Sequence, residues 1–532
     1  MKVQRCVPYD VIVVGAGATG SWATKELTER GWRVLLLEAG ASMRAPPLTS
    51  TTSATKVAEV ASRYEQMRER QRTQSNCYAC TPYTNHLFVD DVDNPYTASE
   101  AKPFFWIRGR QLGGRACTWA GYTYRMSDYE FKAASRDGHG TDWPISYQDL
   151  ASYYDRIERF LRVRGSNESI PNLPDGEFCR PTALTPGEAR LKSAVESRWP
   201  ERKVIPGRAI SMESLPATSA SSVEMIASPG VQSVLAAALR TGRLEIRTHA
   251  IASHIIVGAT GKAAGVAYVD GASGAVQEVS SRAIVLCAST IESTRLLLNS
   301  RSRHHPEGIG NSSGLVGRYL MDHVQVKIRG HAEAAAPECV DCVNPNGIYI
   351  PQFRNVATRT ARFMRGYGIQ GGVPRGTGSR DVREDFWMAA FGEMLPRIEN
   401  QVSLSPGVKD AWGIAVPHIE CSHGDNEVEM AQDAQAALEE MADAAGFHIT
   451  RRESTLNRPG LCVHEVGTAR MGEDPRTSVL NKFNQSWDVD NLFVSDGACF
   501  VSQGYQNPTL TMMALTARAC DYLAVQLRDG HI

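Results

Sequence analysis

Three glycines and a glutamate near the start of the chain are the residues that most clearly indicate a specific chemistry. Gly15, Gly17 and Gly20 form a G-x-G-x-x-G motif directly after the apolar run 11–14. Gly15 permits a tight turn, Gly17 lets a pyrophosphate approach the main chain, and Gly20 lets the following helix pack closely on the strand. Glu38 ends a second apolar run, where a carboxylate can accept hydrogen bonds from a ribose diol. Together these residues predict a dinucleotide site.

A strand, a helix and a second strand must hold these residues in place. Residues 11–14 are typical of a strand that is buried on both faces, as in a parallel sheet. We predict a helix over residues 21–30, whose free N–H groups and positive dipole end suit a phosphate. A second strand is predicted over residues 33–38. The alternative is a βαβ unit that binds nothing, and the order and spacing of its parts disfavour that alternative.

The glycine motif by itself does not separate FAD from NAD. Its position at the N-terminus and the sequence Glu38-Ala39-Gly40 favour a flavoprotein. An acid at position 38 disfavours a 2′-phosphate, and hence NADP. FAD is therefore the predicted cofactor.

A second glycine-containing segment follows an aromatic run. Residues 104–114 pass from Phe-Phe-Trp into a basic turn that suits a second contact with a dinucleotide. Arg108 and Arg110 are candidates for a phosphate contact, and a solvated arginine is the alternative for each. Gly113 and Gly114 permit a close approach of the backbone, and we expect them near a flavin ring.

The composition of the whole chain excludes several classes of partner. The 532 residues are 42% hydrophobic and 22% charged, as in globular proteins, and their number suggests about two to four domains. A net charge of -1 gives no basic surplus for nucleic acid or an anionic membrane. No apolar run is long enough to span a bilayer, and residues 1–10 contain no signal-peptide core. We therefore expect a cytoplasmic protein, with export alongside a signal-bearing partner left open.

The cysteines do not form a clear metal site. Cys77 with Cys80, and Cys339 with Cys342, have C-x-x-C spacing, so a four-cysteine zinc site or a local disulfide is an alternative. The two pairs lie far apart, and neither has glycine-rich flanks or further ligands. Cys287 lies in an apolar run and has the character of a small buried residue. We predict free thiols and no metal.

The chain alternates between two kinds of structure, which predicts interleaved domains. Buried strands predicted at 283–288 and 492–494 return the chain to the first βαβ unit. Residues 324–423 contain short alternating runs that are typical of an antiparallel sheet, and an amphipathic helix is predicted over 428–445. The predicted FAD-binding segments are 1–145, 224–323 and 456–532, and the predicted substrate-domain segments are 146–223 and 324–455.

Two C-terminal segments carry the most specific signal. The pattern H-x-x-G-T-x-x-M-G begins at His464, and Asn507-Pro508 stands just before a predicted helix. With the segments above, these make the chain resemble the glucose–methanol–choline (GMC) oxidoreductase family over nearly its whole length. Residues 137–144 and 311–323 are most similar to the bacterial glucoside 3-dehydrogenase branch of sugar dehydrogenases. Fructose and gluconate dehydrogenase flavoprotein subunits are somewhat more distant.

The resemblance implies both a fold and a catalytic pair. The implied fold is α/β, with a Rossmann-like FAD-binding domain interleaved with a substrate domain on a mixed or antiparallel sheet, as in p-hydroxybenzoate hydroxylase. His464 and Asn507 match the family positions on the substrate face of the flavin. His139, His323 and His418 have no such sequence context, and we interpret them as structural.

Alcohol oxidation explains why these residue types are needed. A hydride moves from carbon to flavin N5, and a proton moves from the hydroxyl to a base, for which a neutral imidazole such as His464 is suited. Asn507 can donate its amide N–H to the developing alkoxide.

The resemblance also assigns residues to the cofactor. Asp496 and Gly497 match a position that contacts the FAD diphosphate and ribityl chain, and residues 507–509 would present N–H groups at a helix N-terminus to the flavin carbonyl edge. The full predicted set is Gly15, Gly17, Ala18, Thr19, Gly20, Glu38, Ala39, Arg108, Arg110, Gly113, Gly114, Ala252, Ala288, Asp496, Gly497, Asn507, Pro508 and Thr509.

Two departures from the family pattern bear on the cofactor and the acceptor. Relatives with covalent FAD carry a histidine after the double glycine, but residues 115–119 contain none, so we predict non-covalent FAD, with Cys117 as an alternative attachment point. Glucoside 3-dehydrogenases carry a cysteine cluster suited to an iron–sulfur centre, but residues 219–229 contain no cysteine. The acceptor is therefore open between oxygen and an electron carrier, with a small partner subunit as a further option.

The predicted function is FAD-dependent oxidation of an alcohol group on a sugar or glycoside to a carbonyl, with His464 as general base. The alternative substrate is an amino sugar or aminoglycoside, as in antibiotic-pathway members of the family. Binding of such a cationic substrate would require carboxylates in the pocket, and the sequence does not place them there. A more distant alternative is an NAD-linked dehydrogenase, which would lack flavin absorbance. Another is a non-catalytic flavoprotein, in which saccharides would not bleach the flavin.

Overall fold

The computed structural model describes residues 9–42, 53–180, 182–210, 229–333, 346–373 and 383–532. The predictions made for residues 1–8, for the cysteine-free stretch 219–228 and for the pair Cys339 and Cys342 lie outside the described residues. In the described part of the chain, no helix combines the length and the apolar character needed to cross a membrane.

The described residues form both strands and helices, and long runs of consecutive strands lie in the middle of the chain. The strands of the described residues are β1 (Tyr9–Val14), β2 (Val34–Leu37), β3 (Thr97–Ala98), β4 (Val163–Arg164), β5 (Ile205–Pro206), β6 (Ala209–Ile210), β7 (Leu244–Arg247), β8 (Ala250–Val257), β9 (Ala263–Asp270), β10 (Val276–Leu286), β11 (Arg318–Met321), β12 (Val324–Glu333), β13 (Ile348–Ile350), β14 (Tyr367–Gly372), β15 (Arg383–Gly392), β16 (Gln401–Lys409), β17 (Ala415–Glu420), β18 (His448–Glu453), β19 (Val466–Thr468) and β20 (Leu492–Val494). The α-helices are α1 (Ala18–Glu29), α2 (Ser53–Arg70), α3 (Asp128–Phe131), α4 (Ala133–Asp137), α5 (Ala151–Leu161), α6 (Pro186–Arg198), α7 (Pro229–Arg240), α8 (Thr290–Asn299), α9 (Asp425–Ala444) and α10 (Thr509–Arg528).

A parallel sheet lies under the N-terminal glycine motif. β7, β2, β1 and β10 are neighbours in that order, β20 also pairs with β10, and these pairings are all parallel. Val11 and Val13 pack with α1, α7 and α10, while Ile12 and Val14 belong to a second core on the other side of the sheet. Burial on both faces explains why this strand is apolar without alternation. The predicted buried strands are therefore confirmed.

β10 is longer than its apolar run predicts. Its second half pairs with β1, and its first half pairs in antiparallel register with β9, as in Val276 opposite Val269. β9 in turn pairs with β8, and residues 271–275 join β9 to β10, so the three strands form an antiparallel extension. Residues 276–282 are largely polar and half of this extension faces solvent, so the apolar run marks only the buried end.

An antiparallel sheet of six strands, in the order β18-β12-β15-β14-β13-β5, faces the parallel sheet across a cavity. On β12, Val326 and Ile328 are buried against α9, where Leu438 belongs to the same core. Lys327 and Arg329 alternate with them and line the cavity. One face of this sheet therefore packs on a helix and the other forms a wall of the site.

A third sheet joins segments that we assigned to different domains. Its order is β19-β11-β16-β17-β3, so β16 and β17 of the predicted substrate segment 324–455 pair with strands from FAD-binding segments. Val402 and Ile419 share one core with Leu320 and Val466. The domain boundaries remain a prediction, and residues 401–420 are the part whose pairing departs from it.

Candidate active site

A cavity of about 850 Å³ lies between the parallel sheet and the six-stranded sheet. Residues 14–19, at the carboxyl end of β1, form one side of it, and residues of β12, β14 and β15 form the opposite wall. Ligands of open parallel sheets bind in the crevice outside the carboxyl ends of the strands. The cavity is therefore the candidate site.

The glycine loop at the base of the cavity has no room for side chains at two of its positions. Gly15 has φ +97°, and a Cβ there would lie 2.5 Å from the carbonyl oxygen of Cys287. A Cβ on Gly20 would lie 1.8 Å from the carbonyl oxygen of Gly15. Gly17 precedes α1 in an extended conformation, and no atom lies within 4 Å of a Cβ built on it. This open space beside a helix N-terminus suits a phosphate.

Glu38 ties the glycine loop to the end of β2. Its carboxylate accepts hydrogen bonds from the backbone N–H of Ala16 at 2.9 Å and of Gly40 at 2.8 Å. Burial raises the pKa of this carboxyl, and those two N–H groups and Arg110 act in the opposite direction. Glu38 also lines the cavity, so it is positioned to accept from a ligand hydroxyl.

Two arginines, the buried Arg108 and the half-buried Arg110, also line the cavity. Arg108 and Arg110 both donate to Asn94, and the Arg108 guanidinium lies 4.0 Å from the ring centroid of Trp106. Burial lowers the pKa of Arg108 to about 10. Nε of Arg108 and Nη2 of Arg110 have no hydrogen-bond partner among the described residues. A buried donor without a partner is costly, so these two nitrogens favour an anionic ligand.

The start of α10 and the loop after β20 form the next part of the wall. Asp496 accepts hydrogen bonds from the backbone N–H of Ser289 at 3.0 Å and Ala498 at 2.9 Å, and from the Ser293 hydroxyl at 2.5 Å. Burial raises the pKa of Asp496 to about 6. Residues 507–509 line the cavity where α10 begins.

His464 and Asn507 meet on the cavity wall. Nε2 of His464 lies 3.2 Å from Nδ2 of Asn507, and the Gln370 amide donates to Oδ1 of Asn507 at 2.5 Å. Nδ1 of His464 lies 2.8 Å from Nδ1 of His323. Burial lowers the pKa of His464 well below its usual range, and His323 and Arg115 lower it further. His464 is therefore a neutral imidazole at neutral pH.

Asp322 fixes the loop that carries His464. Its two carboxylate oxygens accept from the backbone N–H groups of Gly460 at 2.7 Å, Cys462 at 3.2 Å and His464 at 3.1 Å. Burial raises the pKa of this carboxyl, and the charge of Glu465 raises it further. Hydrogen bonds from three N–H groups make this loop a rigid support for the imidazole.

The structure brings nearly all of the predicted site residues to one cavity. Gly20 and Gly113 do not line it: Gly20 packs on the glycine loop, and Gly113 donates its N–H to the carbonyl of Ala16 at 3.1 Å. The predicted residues that line it are Gly15, Gly17, Ala18, Thr19, Glu38, Ala39, Arg108, Arg110, Gly114, Ala252, Ala288, His464, Asp496, Gly497, Asn507, Pro508 and Thr509.

Sequence reasoning missed several residues of the site. His323, which we interpreted as structural, lies against His464, and Gln370 holds Asn507. Arg115 lines the cavity and forms a 2.6 Å ion pair with Glu465. The adjacent polar pair at 322–323 between two apolar runs is a signal that could have found His323. Gln370 sits in a glycine-rich strand and offers no such signal.

The histidines His139 and His418 do not line the cavity, whereas Cys77, Cys287 and Cys462 do. His139 contacts the carbonyl oxygen of Pro396 at 3.4 Å, and His418 contacts the Thr97 hydroxyl at 2.8 Å. Among the described residues, the thiols of Cys77, Cys80, Cys179, Cys287, Cys421, Cys462, Cys499 and Cys520 form no disulfide bond. The same residues contain no group of His, Cys, Asp and Glu arranged to hold a metal ion.

Comparison with known proteins identifies the family. Residues 227–325 and 396–516 match two family models that are both described as GMC oxidoreductase. The chain is 30% identical to 2-methyl-1,2-propanediol dehydrogenase of Mycolicibacterium austroafricanum, over 98% of this chain and 96% of that protein. The chain belongs to the GMC oxidoreductase family.

This GMC oxidoreductase has further relatives that it matches over most of their length. It is 26% identical to the fructose dehydrogenase large subunit of Gluconobacter japonicus, over 98% of both proteins, and 26% identical to 6'''-hydroxyparomomycin C oxidase of Streptomyces lividus, over 98% of this chain and 93% of that protein. Its fold matches the crystal structure of pyridoxine 4-oxidase from Mesorbium loti with a TM-score of 0.58 and 17% identity, covering 97% of this chain and 99% of that one. The predicted family, fold class and enzyme class are confirmed.

GMC oxidoreductases bind FAD, and the cavity fits this cofactor. The open space beside Gly17 and the unpartnered nitrogens of Arg108 and Arg110 suit phosphates, and Glu38 suits a ribose. His464 and Asn507 line the same cavity.

Proposed function

We propose that this GMC oxidoreductase uses FAD to oxidise an alcohol group of a sugar, glycoside or polyol to a carbonyl. The observation that carries the proposal is the pair on the cavity wall: a neutral His464 whose Nε2 lies 3.2 Å from the amide nitrogen of Asn507. The Asn507 amide is directed at the Nε2 lone pair, and a substrate hydroxyl that replaces this contact can give its proton to Nε2 and accept from Nδ2.

In this proposal the chain's own residues bind, orient and deprotonate the alcohol. Nε2 of His464 accepts the hydroxyl proton, and Nδ2 of Asn507 donates to the oxygen as negative charge develops on it. Gln370 donates to Oδ1 of Asn507, which leaves Nδ2 of Asn507 facing His464. Bound FAD supplies the acceptor for the hydride that leaves the carbinol carbon. General-base help of this kind is worth about 10²–10⁴-fold.

The proposed FAD is held without a covalent bond. The thiol of Cys117, our alternative attachment point, points to the carbonyl oxygen of Leu112 at 3.6 Å, and Cys117 is not among the residues lining the cavity. No histidine lies in residues 115–119. We therefore expect acid precipitation to release the flavin into the supernatant.

The charge on the substrate side favours a neutral sugar or polyol over an aminoglycoside. Lys327 and Arg329 line the cavity on β12, and neither forms an ion pair with any described residue. Asp385, an acid on the same cavity wall, is hydrogen bonded to His331 at 3.1 Å. A polycationic substrate would meet unpaired positive charge at this wall. The amino-sugar alternative, supported by the Streptomyces lividus relative, is therefore the second candidate.

The electron acceptor and a partner subunit belong to the same proposal. Oxygen or an electron carrier must reoxidise the flavin after each turnover. The Gluconobacter japonicus relative is named as the large subunit of its enzyme, which makes a small partner subunit a candidate for this chain as well.

An anaerobic substrate screen tests the proposed function. Purified yellow protein is mixed with glycosides, polyols and amino sugars, and flavin bleaching is followed before and after air is admitted. We expect neutral sugars or polyols to bleach the flavin faster than amino sugars, and recovery in air would identify an oxidase. A colourless protein that reduces NAD, or a flavin that no alcohol bleaches, would contradict the proposal.

A further inference from the structure

A row of hydrogen bonds runs behind the proposed base, away from the cavity. Nε2 of His323 lies 2.9 Å from the carbonyl oxygen of Gly504, and Nδ1 of His323 lies 2.8 Å from Nδ1 of His464. The two rings are nearly perpendicular, at 86°. His323 is fully buried and does not line the cavity, so it touches neither substrate nor cofactor.

The carbonyl at the end of this row determines where each proton must be. A backbone carbonyl only accepts, so Nε2 of His323 carries a hydrogen. Burial lowers the pKa of His323 to about 4, so at neutral pH its other nitrogen, Nδ1, is an acceptor. The hydrogen shared by the two Nδ1 atoms then belongs to His464. A neutral His464 with a hydrogen on Nδ1 has its lone pair on Nε2, which faces Asn507 and the cavity.

The amides on the other side of His464 could not fix this arrangement alone. Asn507 and Gln370 could both be rotated by half a turn, and Oδ1 of Asn507 would then accept from Nε2–H of His464. The carbonyl of Gly504 cannot rotate in this way. The backbone end of the row therefore decides the proton positions in all of these side chains.

We propose that His323 is a positioning residue that holds His464 in the tautomer with its lone pair on Nε2, and that it shares the positive charge after His464 takes the substrate proton. The second part follows from the same geometry, because the Nδ1–H of the imidazolium points at the Nδ1 lone pair of His323. Nε2–H of His323 ends on a carbonyl, so the proton has no onward route there and must leave from the cavity side. This inference rests on the proposed role of His464 as base.

Two substitutions of His323 separate this role from a structural one. In His323→Asn, Oδ1 is attached to Cγ as Nδ1 is in histidine, so it can still accept from His464, but the bond to Gly504 is lost. In His323→Gln, the amide reaches one bond further, so it can still donate to Gly504 but has no acceptor at the position of Nδ1. Both remove a buried ring, so a purely structural role predicts similar losses.

The expected results differ between the two variants. We expect His323→Asn to keep the rate of anaerobic flavin reduction within about tenfold of the wild type. We expect His323→Gln to lose on the order of 10²-fold in that rate, with KM little changed, because the base is then free to carry its hydrogen on Nε2. FAD content and melting temperature serve as the control for folding. Equal losses in the two variants would overturn the proposal.

A measurement without substrate keeps the inference independent of the proposed function. In holoprotein labelled with ¹⁵N-histidine, the signals of His464 are assigned by their absence from His464→Ala. We expect Nδ1 of His464 to have the chemical shift of a protonated nitrogen and Nε2 that of an unprotonated one at neutral pH. A protonated Nε2 would overturn the inference even if both variants fail to fold. If instead the tautomer is as expected but His464→Ala reduces its flavin normally, the proposed function fails and the tautomer assignment stands.

Discussion

His464 depends on burial for its chemistry as well as on its position. An exposed imidazole has a pKa near 6.5, and half of such side chains are cationic at that pH. Burial removes water from the His464 ring, which disfavours the cation and lowers the pKa. A base must be unprotonated before it can act, so this lowered pKa keeps the site ready in mildly acidic solution.

The same shift predicts the pH dependence of flavin reduction. Protonation of His464 abolishes its action as base, and a lowered pKa moves that loss to lower pH. We expect the anaerobic reduction rate to stay flat from about pH 8 to below pH 6.5, the ordinary histidine pKa, and to fall only in more acidic solution. Stopped-flow absorbance at each pH checks this. A midpoint at or above pH 6.5 that persists when Asp322 is replaced would contradict a base that is neutral at that pH.

A variant at residue 322 removes a competing explanation for that profile. Asp322 supports the same loop, and burial raises the pKa of its carboxyl towards neutrality. The side chain at this position in Asp322→Asn does not titrate. A fall in the reduction rate with pH that disappears in this variant is therefore caused by Asp322 and not by His464. We also expect this variant to be less stable by about 1–3 kcal/mol, since an amide replaces a carboxylate that accepts three N–H groups. Thermal unfolding with FAD bound measures that loss.

At the scale of elements, the glycine loop separates folding from cofactor binding. Gly20→Ala places a Cβ 1.8 Å from the carbonyl oxygen of Gly15, so α1 must move away from the loop. Gly17→Ala meets no atom within 4 Å, and the backbone at Gly17 has an ordinary φ of -68°. We expect the apoprotein of Gly20→Ala to melt at lower temperature, and that of Gly17→Ala to melt as the wild type does.

FAD affinity is expected to separate these variants further. Gly17→Ala adds a methyl group in the open space where we propose the diphosphate lies, so its FAD affinity is expected to fall while its fold is kept. Flavin fluorescence during titration of the apoproteins measures this. If Gly17→Ala binds FAD with the affinity of the wild type, the diphosphate does not lie beside Gly17.

The buried elements are the part of the fold that the sequence predicted well. Strands such as 11–14 and 492–494 were predictable because burial on both faces leaves an unbroken apolar run. The first half of β10 was not, because a polar antiparallel extension has no such run. The pairing of β16 with β11 could not be predicted from the sequence either, because alternation of apolar and polar residues indicates a strand but not its neighbour in the sheet.

The site was predictable to the extent that its residues stand in specific motifs. His464 and Asn507 stand in such motifs. His323 lies in the link between β11 and β12 and Gln370 lies on β14, and both act only through contacts that folding creates. Spacing along the chain contains no record of which strands the six-stranded sheet brings to the cavity.

At the scale of the whole molecule, the arrangement of charge is expected to select among substrates. The net charge of -1 hides a local excess of positive charge, since Lys327 and Arg329 lack ion-pair partners among the described residues. Charge at the rim of a site acts on substrates through a field that salt screens over about 10 Å at 0.1 M ionic strength.

Substitution of Lys327 tests this selection. We expect the ratio of kcat/KM for a neutral sugar to that for the matching amino sugar to fall several-fold in Lys327→Gln at low salt, and to change little at high salt. Arg452→Gln is the control. Arg452 lies on β18, the neighbour of β12 in the same sheet, but it forms an ion pair with Glu439 of α9 at 3.2 Å and does not line the cavity. A ratio that is unchanged in Lys327→Gln, or equally changed in Arg452→Gln, would remove Lys327 from substrate selection.

The most direct test of the proposed mechanism is the rate of anaerobic flavin reduction in His464→Ala, compared with the rate in the wild type. His418→Ala serves as the control, because His418 contacts Thr97 away from the cavity. We predict that all three proteins bind FAD and that only His464→Ala loses its reduction rate, by about 10²-fold or more. Near-normal reduction in FAD-loaded His464→Ala would contradict the central claim that this imidazole takes the proton of the alcohol.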